Sequence, residues 1–128
     1  MNKSLYALMV VSLITVNTLI IPVTTCAEGS TRLIASWYSK SSLRTEGTFK
    51  YSKGVMANGK IFSDNAFTCA CNTYPLGTLL LVTAIESGRS VIVRTTDRTN
   101  KRFKGKRIDL AKRAFMAIAD IEQGIVSV

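Results

Sequence analysis

Along most of this chain the apolar residues fall in short runs separated by turn residues, the rhythm of an all-β domain, and one stretch near the C-terminus repeats at helical spacing. Leu33-Ile34-Ala35-Ser36-Trp37-Tyr38 reads as a first strand. Residues 39–60 carry serines, lysines and three glycines (Gly47, Gly54, Gly59) without periodicity, which predicts a long loop of the kind that usually serves function. Ala66 to Cys71 reads as a second strand and Tyr74-Pro75-Leu76-Gly77 as a turn. Thr78 to Ile85 is a third strand, apolar enough to be buried on both faces. Glu86-Ser87-Gly88-Arg89 reverses the chain into Ser90-Val91-Ile92-Val93-Arg94-Thr95-Thr96, whose β-branched residues suit a pleated surface. Asp97 then lies just past the end of a central strand. Leu110 to Ala119 predicts a helix with Leu110, Ala114, Phe115 and Ile118 on one face and Asp109 as its N-cap, and Gly124 to Val128 closes the chain as a short strand. Six strand-like runs and one helix predict a mainly β fold, closed most economically as a small barrel.

The first two dozen residues break this rhythm. Lys3 precedes an apolar run that continues to Ile21, and Thr24-Thr25-Cys26-Ala27 supplies the small residues of a cleavage site after Ala27, so residues 1–27 read as an export signal and 28–128 as one mature domain. An uncleaved anchor is disfavoured by Asn17, three threonines and Pro22, and lipidation at Cys26 by Thr25 before it. Membrane association is expected only if the segment is retained or Cys26 is lipidated. The protein is expected in the periplasm or cell envelope.

Composition narrows the chemistry. With 17 Lys+Arg, 8 Asp+Glu and no histidine, the chain cannot build a Ser-His-Asp triad, a Cys-His pair or a histidine-ligated metal site. No phosphate-binding glycine motif occurs either, and neither a metal nor a cofactor is expected. A small, exported, cationic domain points first to anionic envelope polymers or membrane surfaces, with nucleic acid not expected as a partner and a monomer as the expected state. Cys69 and Cys71, two apart in an extended run, sit near the outer limit for a disulfide, which leaves a kinked bridge and two free, partly buried thiols as alternatives.

Acid and base work falls to carboxylates. Glu28 is terminal, Glu86 lies in a turn, Asp109 caps the helix, and Asp120 and Glu122 follow it; Asp97 differs because a buried strand delivers it to a loop mouth. The cations Arg98, Lys101, Arg102, Lys104, Lys106 and Arg107 follow it, as a dock for an anionic glycan or as a solvated loop. Adjacent in a strand, Trp37 and Tyr38 face opposite ways; Trp37 reads as a core anchor and Tyr38 as the better ligand contact.

The order of these pieces resembles the rare lipoprotein A (RlpA-like) family. Ala35-Ser36-Trp37-Tyr38 is similar to its opening strand, Met56-Ala57-Asn58-Gly59-Lys60-Ile61-Phe62 to its Thr-Ala-Asn-Gly-Glu-x-Phe motif, and Thr73-Tyr74-Pro75-Leu76-Gly77-Thr78 to its Leu-Pro-Phe-Gly-Thr turn. Gly88 to Arg94 with Asp97-Arg98 is similar to its hairpin and Asp-Arg-Gly-Pro end, and Lys106-Arg107-Ile108-Asp109-Leu110 to its helix start. The resemblance implies a six-stranded double-psi β-barrel with one helix, as in expansins and barwins. It also implies endolytic cleavage of peptidoglycan glycan strands by a single acid at Asp97, giving a 1,6-anhydro product, with Tyr38, Asn58, Arg98 and Cys71 as substrate-binding positions. Cys71 stands where many members carry histidine, and Thr99-Asn100 replaces Gly-Pro. Two further readings stand beside this one: a non-catalytic, expansin-like glycan-binding barrel, and a redox role for Cys69 and Cys71.

Overall fold

The computed structural model describes residues 30–47 and 52–128; the expected signal segment, its cleavage site and Cys26 lie outside the described residues. Six strands form: β1 (Ile34–Tyr38), β2 (Thr68–Ala70), β3 (Leu79–Thr83), β4 (Ser90–Asp97), β5 (Arg107–Ala111) and β6 (Ile125–Ser127). Two helices accompany them, α1 (Lys40–Thr45) and α2 (Lys112–Ile118), with single 3-10 turns at Lys101–Phe103 and Ile121–Gln123. The strands lie in the order β3-β4-β2-β5-β1-β6. Pairs β1/β5 and β2/β4 are parallel, and β2/β5, β3/β4 and β1/β6 antiparallel. The sheet curls until Ile85 N–H, just past β3, donates to the Ser127 carbonyl of β6 at 2.9 Å. This is the mainly β, six-stranded architecture expected. No helix among the described residues is long and apolar enough to cross a membrane.

Alternation along β1 and β5 separates two faces. Ala35, Ile108 and Leu110 join Cys69, Cys71 and Val93 in the main core, which α2 covers with Phe115 and Ile118, each fully buried. Trp37 packs against the same core and donates its indole N–H to the Ile121 carbonyl at 3.2 Å, as an anchor should. The opposite face carries Ser36 and Tyr38 from β1 and Arg107, Asp109 and Ala111 from β5. A second, smaller apolar cluster of Met56, Phe62 and Ala111 roofs part of it, with Tyr38 and Leu43 packed alongside.

Three expectations need correction. The helix begins at Lys112 rather than Leu110, and Ala111 at its N-cap makes no side-chain hydrogen bond. Leu110 and Ala111 extend β5 instead, opposite Trp37 and Tyr38, so Asp109 is a strand residue and caps nothing. Strand pairing supplies partners for backbone groups that a longer helix would have left to a cap. The 39–60 stretch is also not all loop, since Ser39 and Ser42 form a reciprocal capping box over α1 and Asp64 Oδ1 accepts from Lys40 N–H at 2.8 Å. Finally, β3 is buried on one face only: Leu79 and Leu81 are 58% and 70% exposed while Val82 is buried. Among the described strands it pairs only with β4, at the edge of the sheet order.

Both described cysteines are free and buried. Burial pushes the Cys69 thiol up to about 12, and Cys71 and Asp109 add to the effect while a contact with Thr95 opposes it. A thiol so placed is almost wholly protonated at pH 8 and out of reach of reagents. Titration of the 28–128 domain with a disulfide reagent at pH 8 should therefore leave both thiols unmodified over the time in which denaturant exposes two equivalents; rapid native reaction would revive the redox reading.

Candidate active site

β4 delivers Asp97 through a change of register. Cys69 of β2 lies opposite Thr95, but the next residue, Ala70, lies opposite Asp97, so Thr96 is the extra residue of a bulge. Bulges re-aim the side chains that follow them. Thr96 is buried, donates from Oγ1 to Met56 Sδ at 3.2 Å, and offers its carbonyl to Asn58 N–H at 3.1 Å. The 52–62 segment is thereby laid against the end of β4. Its tip is a Met56-to-Gly59 turn closed by Gly59 N–H to the Met56 carbonyl at 2.9 Å, with Gly59 at φ +82°, where a side chain would strain the backbone.

This turn holds the acid. Asp97 Oδ1 accepts two backbone hydrogen bonds, from Ala57 N–H at 2.9 Å and Arg98 N–H at 2.8 Å. Among the described residues no hydrogen bond falls on Oδ2. The two carboxylate oxygens are therefore unequal, with Oδ1 held by two fixed donors and Oδ2 by none among the described residues. Asp97 is half-buried, as expected of a group at a barrel mouth.

The loop after Asp97 is clamped by side chains. Arg98 Nη1 reaches the carbonyls of Cys71 and Tyr74 at 2.5 and 2.6 Å. Asn72 Nδ2 reaches the Thr99 carbonyl at 2.8 Å, Thr99 Oγ1 at 2.9 Å and the Asn100 carbonyl at 3.0 Å. Gly105 N–H meets Thr73 Oγ1 at 3.1 Å. Thr99-Asn100 is thus tied down by Asn72 without a proline ring. Beyond it Lys101, Arg102, Lys104 and Lys106 are exposed, and the guanidiniums of Arg102 and Arg107 sit 4.7 and 5.0 Å from the centre of the Phe103 ring.

The remaining site positions divide. Asn58 is exposed at the turn tip, where its Oδ1 accepts from Lys60 N–H at 3.0 Å. Tyr38 faces away from the main core, as strand alternation requires, but its ring is covered by Phe62 at 4.4 Å between centroids and its hydroxyl is buried without a partner. Burial, then the nearby Asp97 charge, and less so Cys69 and Asp109, hold that phenol well above its ordinary range. Cys71 needs correction as a substrate contact. Its thiol has no exposed surface, and what it brings to the site is backbone: its N–H meets the Asp97 carbonyl at 3.1 Å and its carbonyl meets Arg98.

Sequence reasoning missed Asp109. Register places Asp97, Ala70, Asp109 and Ser36 in one row across four strands, on one face. Two strand spacings separate the acids, about 10 Å between backbones, with only an alanine between them. Asp109 Oδ1 accepts from Ser36 Oγ and from Arg107 Nε, the latter at 2.6 Å, and Arg107 Nε also lies 2.9 Å from Ser36 Oγ. The available signal was the spacing of two in Ser36-x-Tyr38 and Arg107-x-Asp109, which a strand turns into one face. Among the described residues no group of three or more Cys, Asp or Glu side chains could hold a metal ion. A cavity of about 580 Å³, lined by residues that include Leu33, Tyr74, Leu80, Val82 and Val128, does not reach Asp97.

A family model described as "Lytic transglycolase" matches residues 30–128. The chain belongs to this family. Among its relatives, the endolytic peptidoglycan transglycosylase RlpA of Pasteurella multocida is 35% identical over 91 residues, covering 71% of this chain and 31% of that protein. The probable endolytic peptidoglycan transglycosylase RlpA of Treponema pallidum is 38% identical over 94 residues, covering 73% and 26%. This lytic transglycolase domain thus spans about a quarter to a third of those relatives. Among solved structures it is similar to a Streptomyces papain inhibitor, with TM-score 0.54 and 18% identity over 77% of this chain and 92% of that one. A mutant Clavibacter michiganensis expansin in complex with cellohexaose gives TM-score 0.51 and 24% identity over 76% and 46%. These likenesses bear on fold alone.

The clamp carries a prediction. Asn72→Ala removes three hydrogen bonds to one half-exposed loop and should cost about 1–2 kcal/mol, lowering Tm by roughly 4–8 °C per kcal/mol for a domain of this size. Amide exchange should quicken at residues 98–103 and not in α2; uniform quickening would show that Asn72 does not act locally.

Proposed function

We propose that this domain is an endolytic lytic transglycosylase of peptidoglycan in which Asp97 is the single acid and base. The observation that carries this reading is the asymmetry of the Asp97 carboxyl: two fixed amides on Oδ1 and none on Oδ2, at the open end of a barrel strand. Such a group has one oxygen for orientation and one for proton transfer.

In the proposed sequence, Oδ2–H donates its proton to the glycosidic oxygen leaving C1 of N-acetylmuramic acid, and the C1–O bond breaks. The resulting carboxylate takes the proton of the C6 hydroxyl as O6 bonds to C1, closing a 1,6-anhydro ring. Asp97 ends as it began, protonated, and no water is consumed. One carboxyl group suffices, whereas hydrolysis by inversion or retention uses two. Asn58, exposed on the turn that holds Asp97, and the cations beyond Asp97 would line the path of the strand. Arg98 would act through position, since its Nη1 is occupied by two carbonyls.

Export to the envelope through residues 1–27, and action as a monomer on glycan strands without nucleic acid, belong to the same proposal. Names of relatives and the cationic surface support it. Membrane attachment would require a retained N-terminal segment or a lipidated Cys26.

Mass spectrometry of products from peptide-stripped glycan strands tests the reading. Wild type should release anhydro-ended fragments, and Asp97→Asn, which can still accept both backbone amides through its carbonyl oxygen, should slow release by about 10²–10⁴-fold while keeping the fold. Saturable, salt-sensitive binding with no new chain ends from either protein would instead favour the expansin-like binding barrel.

A further inference from the structure

Among the described residues, two side-chain polar atoms are buried with no hydrogen-bond partner: Tyr38 Oη and Thr68 Oγ1. Both lie on the face that carries the acids. Tyr38 follows Ser36 by two residues in β1, and Thr68 precedes Ala70 by two in β2, so each shares a face with the row from Asp97 to Ser36. A buried hydroxyl without a partner is a standing cost to the fold, and such groups are rare enough in native proteins to ask what they serve.

Tyr38 is held as a tool would be. Phe62 stacks on its ring with an interplanar angle of 23°, and Met56 and Ala111 complete the packing, so the direction of the hydroxyl is fixed. Burial and the Asp97 charge keep the phenol protonated across any working pH, and of the charges acting on it Asp97 acts most strongly. Asp97 in turn has one oxygen that accepts no hydrogen bond among the described residues. The position that resembles the family's histidine is Cys71, sealed in the core, so no imidazole serves that oxygen here.

We propose that Tyr38 is the positioning donor for Asp97: when a glycan strand binds, the Tyr38 hydroxyl donates to Oδ2 and steadies the carboxylate left once the proton has gone to the leaving oxygen. The inference rests on the transglycosylase reading above. Hydrogen bonds that serve catalysis are often unformed until substrate is present, so the pair need not be closed in the free protein.

Tyr38→Phe isolates the hydroxyl, because the ring and its stacking remain. Turnover of peptide-stripped glycan strands should fall by about 10–100-fold with KM within about twofold. Tm should stay level or rise, since the variant removes an unsatisfied buried group, whereas a merely structural hydroxyl would lower Tm and leave turnover alone. A second readout needs no turnover: the Tyr38 hydroxyl proton, followed by NMR, should move downfield when glycan strands are added. In Asp97→Asn it should not move, because the side-chain carbonyl oxygen keeps the two backbone amides and turns an NH₂ that cannot accept toward Tyr38. Turnover by Tyr38→Phe within twofold of wild type overturns the proposal while leaving the transglycosylase reading intact. If wild type releases no anhydro product, that reading fails, and the NMR arm alone decides: a shift in wild type absent from Asp97→Asn upholds the Tyr38–Asp97 pair, and no shift overturns it.

Discussion

Everything at this site depends on one carboxylate oxygen accepting two backbone N–H groups, one from the adjacent residue and one from a distant segment. Ala57 and Asp97 are 40 residues apart, and their contact decides where the 52–62 segment lies. That segment then places Phe62 over Tyr38 and Met56 beside Thr96. Orientation of the acid, burial of the tyrosine and the roof over half the groove face are therefore one event. The turn that achieves it is short, and the left-handed residue at its tip is a glycine. An acid held by backbone amides needs no neighbouring cation to fix its position, which separates its geometry from the local charge.

The same division of labour runs through the loop that follows. Where the resembled motif has Gly-Pro, rigidity would come from a ring that fixes one backbone torsion. Here Asn72 reaches from the segment after β2 to the Thr99 carbonyl and hydroxyl and the Asn100 carbonyl, and Arg98 reaches back from the loop after β4 to the Cys71 and Tyr74 carbonyls. A torsion fixed by covalent structure is independent of its surroundings, but a clamp of hydrogen bonds works only if both segments are folded. The loop that follows Asp97 and the Cys71-to-Tyr74 segment must consequently order together. Cys71 belongs to this join through its backbone, which leaves its side chain free to be core.

What the sequence made legible follows from which signals are local. Alternation in Ile34 to Tyr38, the β-branched run of β4 and the Gly88 reversal each declare themselves within a few residues, so the strands and the position of Asp97 could be read directly. The helix start could not. Leu110 and Ala111 fit a helical face as well as a strand, and the partner that settles the matter, β1, is more than 70 residues away in sequence. Asp109 was misread for that reason: before a helix an aspartate is a cap, but inside a parallel pair it is one member of a row. The exposure of Leu79 and Leu81 was equally hidden, since edge position is a property of the whole strand order. Asp97's free oxygen and Tyr38's unpartnered hydroxyl depend on tertiary placement to within an ångström, and no spacing encodes that.

The arrangement also removes a conflict that the sequence poses. Six cations within ten residues follow the acid, and a general acid surrounded by cations would be held in the wrong form. Folding engages two of them elsewhere. Arg98 approaches Asp97 with its backbone N–H while its guanidinium is turned to the Cys71 and Tyr74 carbonyls. Arg107 pairs with Asp109, two strands from Asp97. Lys101, Arg102, Lys104 and Lys106 remain on the exposed loop, where their field acts through solvent and is screened over about 8 Å at physiological salt. The exposed cations and the donors that orient Asp97 are thereby different groups. In the transglycosylase reading proposed above, the rim charge would draw a strand in, and the chemistry would fall to a carboxyl whose hydrogen-bond partners are backbone amides.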